Sequence, residues 1–336
     1  MNTGVRKIIV KEDDNGQRLD RWLKRYVPDM PYILAQKLLR KGEIRVNGKR
    51  VKTDTRLEAG QEVRIAPFQA SQILDKKDEK ISDKDVAYIQ SLVIYDDGDV
   101  IAINKPPGLA SQGGSGVYRH VDGLLDGLMG ANGVRPRIVH RLDKDTSGVM
   151  LLARSIESAR GLGHIFKGRD IRKIYWGLVC PAPEASEGTI NAPLSKLGGP
   201  LRENMAVDEE EGKKAVTEFK VLEYAHKQAA FVAFWPRTGR MHQIRVHAAL
   251  MGTPIIGDPK YGERKIEHEH QMIGLDGIDL YKGLHLHARR IMCPHPVKKG
   301  QRLDITAPLS PELTKSWKAF GFEVNAKGDP FAGLKK

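Results

Sequence analysis

Arg137-Ile138-Val139-His140-Arg141-Leu142-Asp143-Lys144-Asp145-Thr146-Ser147-Gly148 sets charged and polar residues between two apolar runs, Ile138-Val139 before them and Val149-Met150-Leu151-Leu152 after them. The apolar runs read as buried strands, so the polar stretch is a loop with both ends fixed. A loop held in this way is a good mount for a reactive group. Leu142 precedes Asp143, which favours partial burial of the carboxylate, and Thr146 and Ser147 can donate hydrogen bonds to the loop. The same residues also compose an ordinary charged turn held by local side-chain bonds, and residue chemistry alone does not separate the two.

Outward from this loop, strands dominate. Residues 92–95 and 100–104 flank Asp96-Asp97-Gly98-Asp99 as a hairpin, and Lys105-Pro106-Pro107-Gly108 ends it in a rigid extended turn. Residues 148–153, 173–179, 216–222, 229–235, 284–292 and 302–306 read as further strands. Helices are expected from Ser155 to about Lys167, from after Thr238-Gly239 to about Leu250, and from Ser310 to Phe320. Strands outnumber helices and do not alternate regularly with them. That pattern predicts an α+β fold with a mixed, largely antiparallel sheet. Gly113-Gly114-Ser115-Gly116 lacks the Gly-Lys-Ser/Thr helix start of a phosphate loop and reads as a mobile connection.

The chain has 336 residues, of which 40% are hydrophobic and 29% charged, an ordinary balance for a soluble globular protein. No uninterrupted apolar stretch is long enough to span a membrane, and residues 1–14 lack the apolar core of a signal peptide. Cys180 and Cys293 are the two cysteines, which argues against a disulfide framework and for a reducing, cytoplasmic setting. The net charge is +13, and residues 1–65 carry 16 Lys and Arg against 9 Asp and Glu. More than half of the excess therefore sits in the first fifth of the chain, which points to a dedicated module for a polyanion.

That module contains a helix over 17–26, with Leu19, Trp22 and Leu23 on one face, and a second helix over 32–41 stopped by Gly42. Glu43-Ile44-Arg45-Val46-Asn47-Gly48 alternates and ends in Asn-Gly, a strong hairpin signal, and residues 62–65 supply a closing strand. Lys37, Arg40 and Lys41 end the second helix, while Arg45, Lys49 and Arg50 lie on the hairpin; this cluster suits the phosphates of a structured RNA. The segment resembles the S4 domain, a small RNA-binding module, through RLDRWL, LLRKGEIRVNGKRV and GQEVRI. The expected division is an S4-like domain over 1–70, a charge-dense linker over 71–85, a catalytic domain over 86–325 and a tail over 326–336.

The loop HRLDKDTSG at 140–148 resembles the signature of the RluA-type pseudouridine synthases. Further blocks follow that family's order: Asn104-Lys105-Pro106-Pro107-Gly108, Lys173-Ile174-Tyr175, Thr238-Gly239-Arg240-Met241-His242-Gln243-Ile244-Arg245-Val246-His247, Ile256-Gly257-Asp258, and Leu284-His285-Leu286-His287-Ala288. Met241, where Thr or Ser is usual, and Cys293-Pro294-His295-Pro296 depart from the pattern without touching the proposed carboxylate. The resemblance implies that Asp143 is the catalytic carboxylate, that Arg245 is its cationic partner and that Tyr175 stacks on the target base. It also implies that Arg141 occupies the space left by a flipped nucleotide. The glycine-rich segment and the S4-like module are most like the RluC-type branch, so the implied substrate is uridine in 23S ribosomal RNA.

Such an isomerisation breaks and remakes a glycosidic bond without redox or phosphate energy, so neither a cofactor nor a metal is expected. A carboxylate buried beside uracil needs a nearby cation to stay ionised, and a guanidinium can grip it with two bonds. A monomer is the default, with no membrane or nucleotide partner. Two other readings are set against this one. His285, His287, Cys293 and His295, with His242 and His247 as further candidate ligands, do not follow a recognised zinc spacing, which disfavours a metal hydrolase. A non-enzymatic ribosomal RNA-binding protein would use the basic module equally well, but has no need of an acid facing a polyanion.

Overall fold

The computed structural model describes residues 4–68, 81–114, 117–131, 133–168, 170–198, 204–262 and 278–334. Two compact units divide at Lys80 and Ile81, and each is described by itself. In the first, β1 (Arg6–Ile9), α1 (Leu19–Tyr26), α2 (Tyr32–Lys41), β2 (Ile44–Val46), β3 (Lys49–Arg50) and β4 (Glu62–Ile65) form a four-stranded sheet in the order β1-β4-β2-β3 with two helices. Leu19, Trp22, Leu23, Leu34 and Leu38 pack from the helices onto Ile44, Val63 and Ile65 of the sheet. Gly42 ends α2 in the left-handed conformation, and Asn47 and Gly48 both have positive φ, as a tight hairpin turn requires. β1, which the sequence reading missed, pairs along β4 from Arg6 opposite Ile65 to Ile9 opposite Glu62.

The second unit opens with α3 (Asp83–Ser91), capped by Ser82, whose hydroxyl accepts the Asp85 amide N–H. The expected linker over 71–85 is thus corrected at its end, while residues 69–80 lie outside the described ones. A sheet follows from β5 (Val93–Asp96), β6 (Val100–Lys105), β7 (Arg137–Ile138), β8 (Ser147–Ala153), β9 (Arg172–Val179), β10 (Glu187–Asn191), β13 (Val216–Ala225), β14 (Ala229–Pro236), β15 (Leu286–Pro294) and β16 (Arg302–Thr306). Its path is β10-β13-β14-β9-β15-β8-β6-β5, with β16 beside β15 and β7 beside β8. The β15–β8 pairing is parallel and the other pairings are antiparallel, so the α+β expectation holds. The small pair β11 (Leu194–Lys196) and β12 (Met205–Val207) stands apart.

Helices α4 (Val121–Leu124), α5 (Ile156–Lys167), α6 (Gln243–Leu250) and α7 (Pro311–Ala319) complete the unit. Ser155 caps α5 through a reciprocal pair of bonds with Ser158, as its sequence position predicts. Within the tail expected over 326–336, the described residues 326–334 pack against the unit. Phe331 is buried among Trp235 and its neighbours, and Arg172 holds Asp329 and the Phe331 carbonyl. No helix among the described residues is long and apolar enough to cross a membrane.

Central to the sheet, β8 is buried throughout and carries the end of the 140–148 loop into the core. Gly148 has φ +110, and a methyl group there would lie 2.2 Å from the Ala288 carbonyl oxygen. Both backbone and packing therefore demand glycine where β8 meets β15. Gly148→Ala is expected to lower stability by about 3 kcal/mol, from backbone strain together with the steric clash. A denaturant midpoint equal to that of the unaltered protein would contradict this.

Candidate active site

Leu142 is fixed before Asp143 is considered. Ser111 Oγ donates to the Leu142 carbonyl at 2.7 Å and accepts the Leu142 N–H at 3.1 Å. Lys105, the last residue of β6, is fully buried, and its ammonium donates to the carbonyls of Pro106, Leu109 and Lys144 at 3.0, 2.7 and 2.9 Å. It ties the turn after β6 to the backbone on the far side of Asp143, and three acceptors saturate its three donors. Burial pulls its pKa down to about 7, with Asp145 and Asp143 opposing. Ser147 bonds outside the loop rather than within it, to His287 Nδ1 at 2.8 Å. His140 Nε2 accepts the Leu151 N–H at 2.8 Å and its ring stacks on Phe166, which anchors the loop's other end.

These contacts hold Asp143 in a recess. Its Oδ2 lies 3.9 Å from Arg245 Nη1 and 3.8 Å from His242 Nε2. Burial pushes the carboxyl above the ordinary aspartate range, and Arg245, Lys105, Lys260 and Arg141 pull against that without cancelling it. The side chain nonetheless keeps 32% of its surface open, so the recess is dry at its walls and open at its mouth.

Arg245 projects from α6 and is 3% exposed. Its two-pronged grip is on Asp258, through Nε to Oδ2 at 2.7 Å and Nη2 to Oδ1 at 2.6 Å, and not on Asp143. The expected bidentate contact with Asp143 is corrected accordingly: the third nitrogen faces Asp143 while Asp258 holds the other two. Asp258 also accepts the Lys260 and Tyr261 amide N–H groups at 2.9 and 3.2 Å, so it is a rigid clamp on the guanidinium. The sequence offered Asp258 only as part of a block, with no sign of its role.

His242 had a role in the sequence only as a further candidate metal ligand. It caps α6 with φ +52, a costly conformation for this residue, and its Nδ1 meets the Tyr261 hydroxyl at 2.8 Å. Tyr175, on β9, is half-buried between two apolar clusters. Burial raises its phenol pKa, and the charge of Asp143 raises it further. Arg141 is exposed on the same loop. Asp143 and Arg245 therefore face each other, and Tyr175 lies within reach of the Asp143 charge.

The alternative metal ligands are dispersed among other duties. His285 Nδ1 bonds the Ile256 carbonyl at 3.0 Å, and His287 contacts Ser147 and the Ala307 carbonyl. Cys293 is buried, with its thiol pushed up to about 11 by burial. His295 Nε2 meets Asp97 at 2.7 Å, and Lys298 Nζ lies 3.2 Å from Asp97 and 3.4 Å from Asp99, supplying the cation there.

In the first unit, Lys37, Arg40, Lys41, Lys49 and Arg50 are exposed at the end of α2 and on the hairpin. Arg45 is different: its guanidinium donates to the carbonyls of Gly42 at 2.9 Å and Gly48 at 3.1 Å, so part of its role is to hold the hairpin. Arg18, Arg21 and Arg56 border a separate cleft of about 410 Å³ with Asn15 and Gln17. Their sequence separation hid that grouping.

Residues 99–250 match the RNA pseudouridylate synthase family, and residues 17–63 match the S4 domain. The chain is 37% identical to ribosomal large subunit pseudouridine synthase C of Vibrio vulnificus and 35% identical to that of Vibrio parahaemolyticus, each alignment covering 94% of this chain and 96% of the relative. Among solved structures, human RNA pseudouridylate synthase domain containing 4 aligns with 27% identity and a TM-score of 0.59, over 70% of this chain and 97% of that one.

Proposed function

From the premise that this chain belongs to the RNA pseudouridylate synthase family, we propose that it isomerises uridines of large-subunit (23S) ribosomal RNA with Asp143 as the catalytic carboxylate. The observation that carries the residue assignment is the recess itself. One partly exposed carboxylate has its Oδ2 turned to Arg245 and His242, and its charge reaches the phenol of Tyr175. The ribosomal target rests on the similarity to the ribosomal large subunit pseudouridine synthases of Vibrio and on the basic S4 unit.

The geometry supports a sequence of events. A uridine within folded RNA must leave its stack before C1′ or C5 can be reached. Tyr175 offers the displaced base an aromatic surface, and stacking of this kind contributes about 1–3 kcal/mol. Arg141, exposed on the loop, is placed to enter the gap left in the RNA. With Oδ2 turned to His242 and Arg245, Oδ1 is left to meet the substrate. An ionised carboxylate serves either first step, attack on the ring or sugar, or removal of a sugar proton. Both sever the glycosidic bond so that the base can turn and rejoin through C5.

Release of tritium from 5-tritiated uridine in a large-subunit ribosomal RNA transcript tests this directly, because C5 loses its hydrogen only when the new bond forms. Release at defined uridines is expected. Tight binding of the transcript without release would favour the non-enzymatic binding protein instead.

A further inference from the structure

Lys173 lies on β9 two residues before Tyr175, so both side chains leave the strand on the same face. A methyl built on Gly239 would sit 3.9 Å from Lys173 Nζ, which places the ammonium against the exposed turn before α6. Lys173 is also close enough to His140 to help its burial hold that ring's pKa at about 3. Three segments that frame the site therefore converge on this one amine: β9, the turn at Gly239, and the entry to the 140–148 loop.

What distinguishes Lys173 is the lack of a counter-charge among the described residues. Lys105 satisfies its donors with three carbonyls, and Arg245 faces two carboxylates. Among the described residues, none forms a hydrogen bond or ion pair with the Lys173 ammonium, and burial alone pulls its pKa down. Lys173 is half-buried, and a partly desolvated ammonium without a partner gains when an anion arrives. Two residues along a strand span about 7 Å, comparable to one nucleotide step in an unstacked RNA strand.

We propose that Lys173 is a phosphate-binding subsite, taking the phosphodiester next to the flipped uridine and fixing the sugar over Asp143. The proposal rests on the reading that a uridine is flipped against Tyr175. Gly239, with no side chain, leaves the approach to the amine open to a backbone phosphate.

The test compares the unaltered protein with Lys173→Met and Lys173→Arg on a 5-tritiated large-subunit ribosomal RNA transcript. Lys173→Met is expected to raise half-saturating RNA about tenfold, as loss of a charge-assisted contact would. The slope of log affinity against log salt should shrink by about 0.7, the value for one phosphate of a single strand. Lys173→Arg should restore the slope. The melting temperature of the methionine variant should not fall, since a half-buried charge without a partner among the described residues has been removed. An unchanged salt slope in Lys173→Met overturns the proposal, whatever its effect on melting. If the unaltered protein binds but releases no tritium, the proposed function fails, and the binding slopes still decide the role of Lys173.

Discussion

Asp143→Asn is expected to abolish tritium release, by on the order of 10⁴-fold or more, as when an essential carboxylate is removed from a catalytic set. The substitution keeps the size of the side chain and its place after Leu142, whose backbone is held independently by Ser111. It also leaves Arg245 paired, because Asp258 supplies that guanidinium's two short bonds. Fold and RNA affinity should therefore survive, and the loss should fall on the chemical step. Single-turnover tritium release and filter-binding affinity separate these effects. Release within tenfold of the unaltered protein would remove Asp143 from the mechanism.

Arg245→Met is expected to damage stability and turnover together. It leaves Asp258 fully buried with only backbone donors, and it deprives Asp143 of its foremost cationic neighbour. Breaking a buried pair from one side costs about 3–5 kcal/mol, which corresponds to a fall in melting temperature of roughly 10 °C for a unit of this size. Tritium release should fall as well, because Asp143 would spend more time protonated. Adding Asp258→Leu should recover much of the stability, since no buried charge is then left unpaired, but none of the activity. Recovery of turnover in the double variant would mean that Arg245 serves only the fold.

Local signals in the sequence located most of the architecture. Gly42, Asn47-Gly48 and Ser155 each announce a backbone event within a few residues, and the structure places the expected turn or cap at each. The 140–148 loop was legible because its polar run is bounded by strands that can only be buried. Signals that depend on tertiary partners were not. Asp258 lies 13 residues beyond Arg245, across a turn whose path no periodicity encodes. Lys105 looked like one more charge in a proline-rich turn, and only the fold shows it bonding to Lys144, 39 residues later. The last residues, charged and glycine-containing, read as a tail, and only the fold shows Phe331 packed on the Trp235 ring. Ser82 capping α3 was hidden by the charge density around it.

The central claim is that an ionised Asp143, held in a desolvated recess beside a guanidinium, performs the chemistry. Burial raises its pKa, so the reactive form is lost as pH falls through a value above the ordinary carboxylate range. The dependence of kcat/KM for tritium release on pH should show an acid limb in that raised position. In Arg245→Met, which removes the cation opposing the shift, the limb should move to higher pH still. A rate flat down to about pH 4, the ordinary carboxylate value, or a limb unmoved by loss of Arg245, would contradict it.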